Sequence, residues 1–516
     1  MNDMRYLLCV ILLMFSILIV AQEHSKAFNK SFKSANEKYS IGDYYGALKI
    51  YQELQIVDAE DKGLNFKMGV CNYNIQNYKG AEANFLKSNT SVSIEILRYK
   101  ASIAHINMKF KEALNYYNAY KIISGEKEIT IDEINVLIEK SKYAALAIDE
   151  PRNVLVQNLG ATINTKNQEY VPLISADEKL MLFTSRRPGS TGGLLDPNGM
   201  SYEDIYMTTK VDNAWEIPTK LREGINTETN DACVGLSADG QLLFLFKPSE
   251  DQETGDLYES RMGVDDWEDP IKLGSDINTE YNETSATITL DDKVIYFSSD
   301  RPGGFGGKDI YKVLRLPNGK WSKAMNLGAT VNTPYDEDAP FIYTDKKTLY
   351  FSSKGHQNMG GFDVFKTVLE KSGWSVPENL KYPINTVQDD IFFVLAASGK
   401  VGYYSSSRLG GFGKQDIYRV LLKDENVQQH VLTAVINSKK EKKPISAKII
   451  LIENESKKVI GIYKSNDNTG KFIMVVNPEK SYNVVIKSDE FQTYSAELDF
   501  DINKTDRFEF KLEKKK

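Results

Sequence analysis

Between residues 28 and 123 the apolar positions recur with a helical period, and that pattern itself repeats. Ala47, Ala81 and Ala113 stand 34 and then 32 residues apart, and each is followed four positions later by a ring, Tyr51, Phe85 and Tyr117. A small residue suits the close crossing of two helices, and a ring one turn later fills the groove beside it. Three helix pairs are therefore expected, with a further helix from 131 to 148 capping the last before Pro151 stops it. From about 152 to 424 the period changes. The triplet Ile/Val-Asn-Thr begins at Ile163, Ile225, Ile277, Val331 and Ile384, with asparagines 62, 52, 54 and 53 residues apart. An apolar, β-branched or aromatic run follows each triplet, at 180–184, 242–246, 294–298, 348–352 and 401–405, after turn residues such as Asp239-Gly240 and Asp291-Asp292. These runs are predicted strands.

Every unit also carries an aspartate with two apolar neighbours: Asp204-Ile-Tyr206, Asp256-Leu-Tyr258, Asp309-Ile-Tyr311, Asp363-Val-Phe365 and Asp416-Ile-Tyr418. Trp215, Trp267, Trp321 and Trp374, all the tryptophans of the chain, lie 11 or 12 positions beyond the first four of these. Units of about 50 residues holding four short strands each read as β-propeller blades. Five units carry the triplet and the aspartate, yet only four carry the tryptophan. The stretch from Val154 to Leu159-Gly precedes the first triplet as Trp321 to Leu327-Gly precedes the fourth, so a strand near 153–158 is expected to complete the last unit and close the ring. Five blades are predicted, six being the alternative. From 428 to 512, seven short alternating runs (431–436, 447–452, 459–463, 472–476, 482–486, 494–500 and 508–512) predict an antiparallel β-sandwich. The expected fold class is multidomain, α then all-β: helical repeats over 23–150, a five-bladed propeller over 151–425, and a sandwich over 426–516.

Ahead of these stands a different kind of segment. Arg5 precedes an apolar run from 7 to 20, followed at once by Ala21, Gln22 and Glu23. That is the form of a secretory signal peptide, over 1–22; the run is short for a spanning helix, an uncleaved anchor being the alternative. Cys9 lies inside the run behind Tyr6, Leu7 and Leu8, so no lipid anchor is expected. The mature part keeps only Cys71 and Cys233, in different domains on this reading, which leaves no disulfide framework. Hydrophobic residues make up 41% and charged residues 26%, with 29 Tyr and 23 Phe, as in a globular chain. A net charge of -7 provides no positive field for a phosphate backbone, so nucleic acid is not an expected partner.

The alanine spacing resembles that of tetratricopeptide repeats, whose concave face binds peptide or protein. The turn Asp467-Asn-Thr-Gly-Lys-Phe472 and the entry Pro478-Glu-Lys-Ser-Tyr482 resemble the carboxypeptidase regulatory-like domain, a transthyretin- or Ig-like sandwich. At the junction the chain reads Asn158-Leu-Gly-Ala-Thr-Ile-Asn-Thr165, Glu169-Tyr-Val-Pro172, Ile174-Ser-Ala-Asp177 and Phe183-Thr-Ser-Arg-Arg187. Together these parts resemble Bacteroidetes envelope proteins that join such repeats, a WD-like propeller and the sandwich to a terminal OmpA-type domain. That family includes type IX secretion and gliding accessory proteins. The resemblance implies a non-enzymatic scaffold or adaptor, exported to the periplasm or outer membrane, whose partners are envelope proteins such as an outer-membrane β-barrel or an exported adhesin. No OmpA-type domain follows the sandwich up to Lys516, so membrane association through a partner is expected.

Candidate chemistry is sparse. The histidines are His24, His105, His356 and His430, none with Glu three positions on, which leaves no zincin or carboxypeptidase helix. No Gly-X-Ser-X-Gly elbow occurs. The glycine runs 302–307 and 409–413 open no predicted helix and read as tight turns rather than phosphate loops. Acidic residues follow each triplet, at Asp231, Glu283, Glu337 and Asp390 among others; converging on a channel they would suit calcium, and as repeated turn caps they need no ion. No enzyme activity, cofactor or metal is assigned. The loop after the second strand of a unit offers the candidate partner-binding rim: Arg187, Arg301, Phe305, Phe362, Arg408 and Phe412, with Arg186 and His356 beside them and Lys247 in the divergent second unit. Arg and aromatic side chains are enriched at binding hot spots, the alternative being that they stack within their own units. A propeller-based binding or sensor protein for a small ligand or glycan is the competing functional reading.

Overall fold

A computed structural model describes residues 25–91, 93–125, 128–196, 199–249, 254–423, 429–501 and 507–515. The apolar leader lies outside the described residues. Among the described residues seven helices come first: α1 (Lys26–Ser40), α2 (Tyr44–Val57), α3 (Lys62–Asn74), α4 (Tyr78–Lys87), α5 (Glu95–Ile106), α6 (Phe110–Ser124) and α7 (Glu128–Asp149). None is long and apolar enough to cross a membrane. Side-chain caps explain where four of them start. Ser25 Oγ accepts from Phe28 N, Asp43 from Gly46 N, Asp61 from Leu64 N and Asn77 from Gly80 N, each satisfying an amide that the first turn leaves unpaired. The three repeated alanines and Phe85 and Tyr51 are fully buried, and a Cβ on Gly69 would come within 2.5 Å of the Phe85 ring. Cys71 and Cys233 are free and buried.

Two compact units divide the chain, one within 1–104 and 111–128, the other within 105–110 and 129–516. In the second, α7 keeps company with five antiparallel sheets. Sheet 1 begins with Glu169–Ile174, sheet 2 with Ala232–Leu236, sheet 3 with Glu283–Ile288, sheet 4 with Glu337–Ile342 and sheet 5 with Asp390–Leu395. The second strands are Leu180–Ser185, Leu242–Pro248, Val294–Ser299, Thr348–Ser353 and Val401–Ser406, where the apolar runs placed them. The third are Asp204–Val211, Gly255–Arg261, Asp309–Leu314, Asp363–Glu370 and Asp416–Leu422. First strands of successive sheets touch one another, and that of sheet 5 touches that of sheet 1, so the five stand in a cycle.

The strand Val154–Asn158 pairs antiparallel with Asp416–Leu422, Val156 opposite Val420, and so supplies the fourth strand of sheet 5 from 258 or more positions away. It carries no tryptophan for a packing reason. Trp215 of sheet 1 meets Tyr403 of sheet 5 edge to face at 6.0 Å, and Trp374 of sheet 4 meets Tyr296 of sheet 3 in the same way. At sheet 5 the smaller Val154 and Val156 pack instead against a cluster containing Tyr350 and Phe393.

Each triplet fastens one sheet. Its aliphatic residue is wholly buried. The asparagine amide pairs with both backbone groups of a third-strand residue, as Asn332 does with Ile310 N at 2.8 Å and Ile310 O at 3.1 Å; Asn164, Asn226, Asn278 and Asn385 do the same with Ile417, Ile205, Leu257 and Val364. The threonine donates its N–H and hydroxyl to the carboxylate four residues on, Thr279 to Glu283 at 2.9 and 2.8 Å.

The C-terminal part holds two sheets around one core that includes Leu432, Ile449, Val484 and Phe510. All seven expected strands are there, but not all antiparallel: in the three-stranded sheet His430–Ser438 runs parallel to Arg507–Leu512, while the four-stranded sheet is antiparallel throughout. The last strand follows a long excursion through the other sheet, which lets it enter in either direction.

Leu159 N donates to Ile417 O, and alternation along the ladder makes Gln157 another residue whose N–H is used. Its side chain is exposed. Gln157→Pro is expected to remove that bond and lower stability by about 1–3 kcal/mol, read as a drop in Tm of several degrees. An unchanged Tm would show that sheet 5 does not need this strand.

Candidate functional site

Sheet ends that carry the loops after the second strands form one face, and the predicted rim residues divide there into two kinds. The arginines turn inward. Arg301 Nε donates to Ser299 Oγ at 2.9 Å, and Nη2 donates to Ile277 O and to Glu283 at 2.9 Å, with the guanidinium carbon 4.9 Å from the Phe297 ring centre and 5.1 Å from that of Tyr311. Arg187 repeats this with Ser185, Ile163 O, Glu169, Phe183 and Tyr206. Arg408 repeats it with Ser406, Ile384 O, Asp390, Tyr404 and Tyr418. All three side chains are only 13–17% exposed. Their Nε and Nη2 donors are engaged with serine, carbonyl and carboxylate partners around the same sheet, the arrangement the stacking alternative describes.

Sheets 2 and 4 alter the cation. In sheet 2, Lys247 reaches Asp231 at 2.5 Å. In sheet 4 the place is taken by His356, whose Nε2 donates to Val331 O at 2.8 Å and whose burial lowers its pKa. Glu337 there accepts from Thr333 and Ser353 with no guanidinium beside it, and burial pushes its carboxyl up to about 7.

The aromatic candidates differ. Phe305 and Phe412 are 50% and 51% exposed. Phe362 is half-buried with Lys354 Nζ 4.5 Å over its ring. Phe305 N and Phe412 N each donate to the aspartate four residues on, Asp309 and Asp416, at 2.7 and 2.6 Å. The glycine runs make these loops tight and fixed. Gly303 and Gly410 have φ near +90°, and a Cβ on Gly306 or Gly413 would strike carbonyls of the next triplet loop at 2.3 and 1.6 Å.

The sheet 4 counterpart of Phe305 and Phe412 is Met359, not Phe362, because Met359 N donates to Asp363 at 2.9 Å, again four residues on. Met359 is fully buried, with Ala144 and Ala147 of α7 packed beside it. Lys140 Nζ donates to Gly360 O at 2.8 Å, and His105 Nε2 to Met359 O at 2.9 Å. Burial lowers the His105 pKa to about 4. Counting back four residues from each repeated aspartate locates Met359 in the sequence.

The axis where the first strands converge, lined by residues such as Leu173, Val234, Ala286, Ala339 and Phe392, encloses about 20 Å³, room for one water and no more. Acidic residues after the triplets are held by their threonines, and among the described residues no three His, Cys, Asp or Glu side chains gather as a metal ligand set. The large concavity is a cleft of about 1070 Å³ between the turns of sheets 2 and 3 and the C-terminal sheets. Arg261 and Arg315 line it with Asp292, whose pKa burial and the neighbouring Asp239 raise to about 6.

No protein-family model matches the chain, and no curated protein matches it. Several solved structures do at low identity. The type III secretion chaperone SycD of Yersinia enterocolitica, in complex with a peptide of the translocator YopD, is 18% identical over 23% of this chain and 95% of its own, with a TM-score of 0.21. A protein assigned as TolB from Agrobacterium tumefaciens is 15% identical over 52% of this chain and 96% of its own, TM-score 0.29. An α-L-arabinofuranosidase from Lactobacillus brevis is 11% identical over 50% and 92%, TM-score 0.33. Likenesses at this level carry no argument about activity or partners.

Because folding raises the Glu337 pKa from 4.5 to about 7, its contribution favours the fold below pH 4.5 and is lost as pH rises through about 7. His356→Arg, which supplies the cation found in sheets 1, 3 and 5, is expected to raise Tm by several degrees at pH 8 and by much less at pH 5. Equal shifts at both pH values would separate the stabilisation from the carboxylate.

Proposed function

We propose that the chain is a non-enzymatic adaptor of a bacterial cell envelope, exported by its leader to the periplasm or outer membrane and accessory to type IX secretion, gliding or adhesin export. In this reading residues 23–150 are tetratricopeptide-like repeats, 151–425 a closed five-bladed WD-like propeller, and 426–516 a carboxypeptidase regulatory-like sandwich, as in the Bacteroidetes proteins the sequence resembles. Its partners are envelope proteins, a β-barrel or an exported adhesin, through which it is held at the membrane.

One observation carries this reading. On the loop face the recurring arginines, asparagines, threonines and acids are taken up by one another, while Phe305 and Phe412 stay half exposed on tight glycine turns, with Tyr335 and Leu409 exposed beside them. A rigid exposed ring loses little freedom when a partner covers it, which suits protein recognition. The competing reading, a small ligand or glycan, draws support from the cleft of about 1070 Å³ with its Arg261 and Arg315.

Mild crosslinking in cells followed by purification of the full chain is expected to recover an outer-membrane β-barrel or a large exported adhesin. Recovery of the chain alone would sink the adaptor reading and favour the cleft.

A further inference from the structure

We propose that Phe305 and Phe412 are docking knobs for an α-helix of a partner protein, one that presents two alanines a turn apart with a lysine one turn ahead of them. This deepens the adaptor reading and rests on it.

The chain itself shows what covers this kind of knob. Three loops, in sheets 3, 4 and 5, are built alike: the amide of Phe305, Met359 or Phe412 is held by the aspartate four residues on, and the glycine that follows is pressed against the next triplet loop. A Cβ on Gly360 would meet Val387 O at 2.2 Å, as one on Gly306 would meet Thr333 O at 2.3 Å and one on Gly413 Asn167 O at 1.6 Å. The three side chains therefore leave their loops at the same position before that aspartate, although the backbone reaches it differently: Gly303 and Gly410 have φ near +90°, and Gln357, at their place in sheet 4, does not. On the middle one sits α7. Its Ala144 and Ala147 are small enough to let the helix approach Met359, and Lys140, one turn earlier, donates to Gly360 O. Met359 is fully buried in consequence.

The flanking loops offer the same elements without such a helix. Phe305 is half exposed beside Tyr335, itself 45% exposed, and Phe412 is half exposed with Leu409 at 57%. Gly306 and Gly413 occupy the place of Gly360, whose carbonyl receives the lysine. A ring presents more apolar area than the methionine it replaces, and the fixed loop keeps the entropy of docking low. The chemistry selects a helix of the pattern Lys-x-x-x-Ala-x-x-Ala, the spacing of Lys140, Ala144 and Ala147.

A labelled peptide of residues 132–150 of this chain, titrated into the full-length protein and followed by anisotropy and calorimetry, provides the test. Two equivalents are expected to bind wild type, one to bind Phe305→Asp or Phe412→Asp, and none to bind the double variant, with Tm shifted by no more than a few degrees. Lys140→Glu in the peptide is expected to weaken binding at least fivefold. A photo-reactive benzoylphenylalanine at position 305 or 412 should crosslink the peptide, a readout that does not depend on how the aspartate variants fold. Absence of saturable binding up to millimolar peptide, or a double variant that binds with unaltered stoichiometry, overturns the assignment. Envelope partners recovered in cells while the peptide fails would remove the knobs and leave the adaptor; peptide binding with no envelope partner recovered would do the reverse.

Discussion

The asparagine of each triplet pairs with both backbone groups of one third-strand residue, which extends the hydrogen bonding of a sheet where its ladder runs out. Without that amide the third-strand N–H would be left unpaired, costing about 1–3 kcal/mol when buried, while the C=O would keep the bond it accepts from Leu159, Leu221, Leu273, Leu327 or Leu380 N. Five such amides, at Asn164, Asn226, Asn278, Asn332 and Asn385, also hold the start of the following sheet, because the threonine next in sequence binds the carboxylate at the head of that sheet's first strand. The third strand of one sheet and the first strand of the next are thus tied through three consecutive residues. The loop face, its arginines and its exposed rings all stand on that tie.

Variation among the five sheets becomes intelligible from the same place. A carboxylate sunk at the head of a first strand needs a charge or enough hydrogen bonds to offset its lost hydration. Arg187, Arg301 and Arg408 meet the need with a planar fork that also stacks on two rings, and Lys247 meets it as a point charge on the shorter Asp231. Sheet 4 meets it with two hydroxyls and the Thr333 amide, with no cation, and Glu337 leans toward its neutral form.

Repetition made much of this legible in the sequence. A residue recurring five times at one phase must answer a need met five times, so the strands, the cycle and the pairing of 154–158 with 416–422 could all be placed before any coordinate. What a recurring side chain does was harder to read, since an arginine that feeds its own sheet and one that meets a partner have the same letter and the same spacing. Arg301 and Phe305 sit four residues apart in one loop and point to opposite fates. Met359 was hidden because its loop, equal in length to those of sheets 3 and 5, carries its only phenylalanine three positions later, at Phe362. The parallel strand 507–512 was equally silent, because alternation in a sequence states which face is buried and says nothing of direction.

Closure through 154–158 also orders events in time. During synthesis that strand emerges early and its mate about 260 residues later. Until then the first strand of sheet 1 lacks a neighbour on one side, and apolar surface meant for the cycle stands open. Contacts so distant along the chain are slow to form. The strand whose pairing closes the cycle, Asp416–Leu422, is therefore among the last pieces of the array to be made, and the cycle stays open until it arrives.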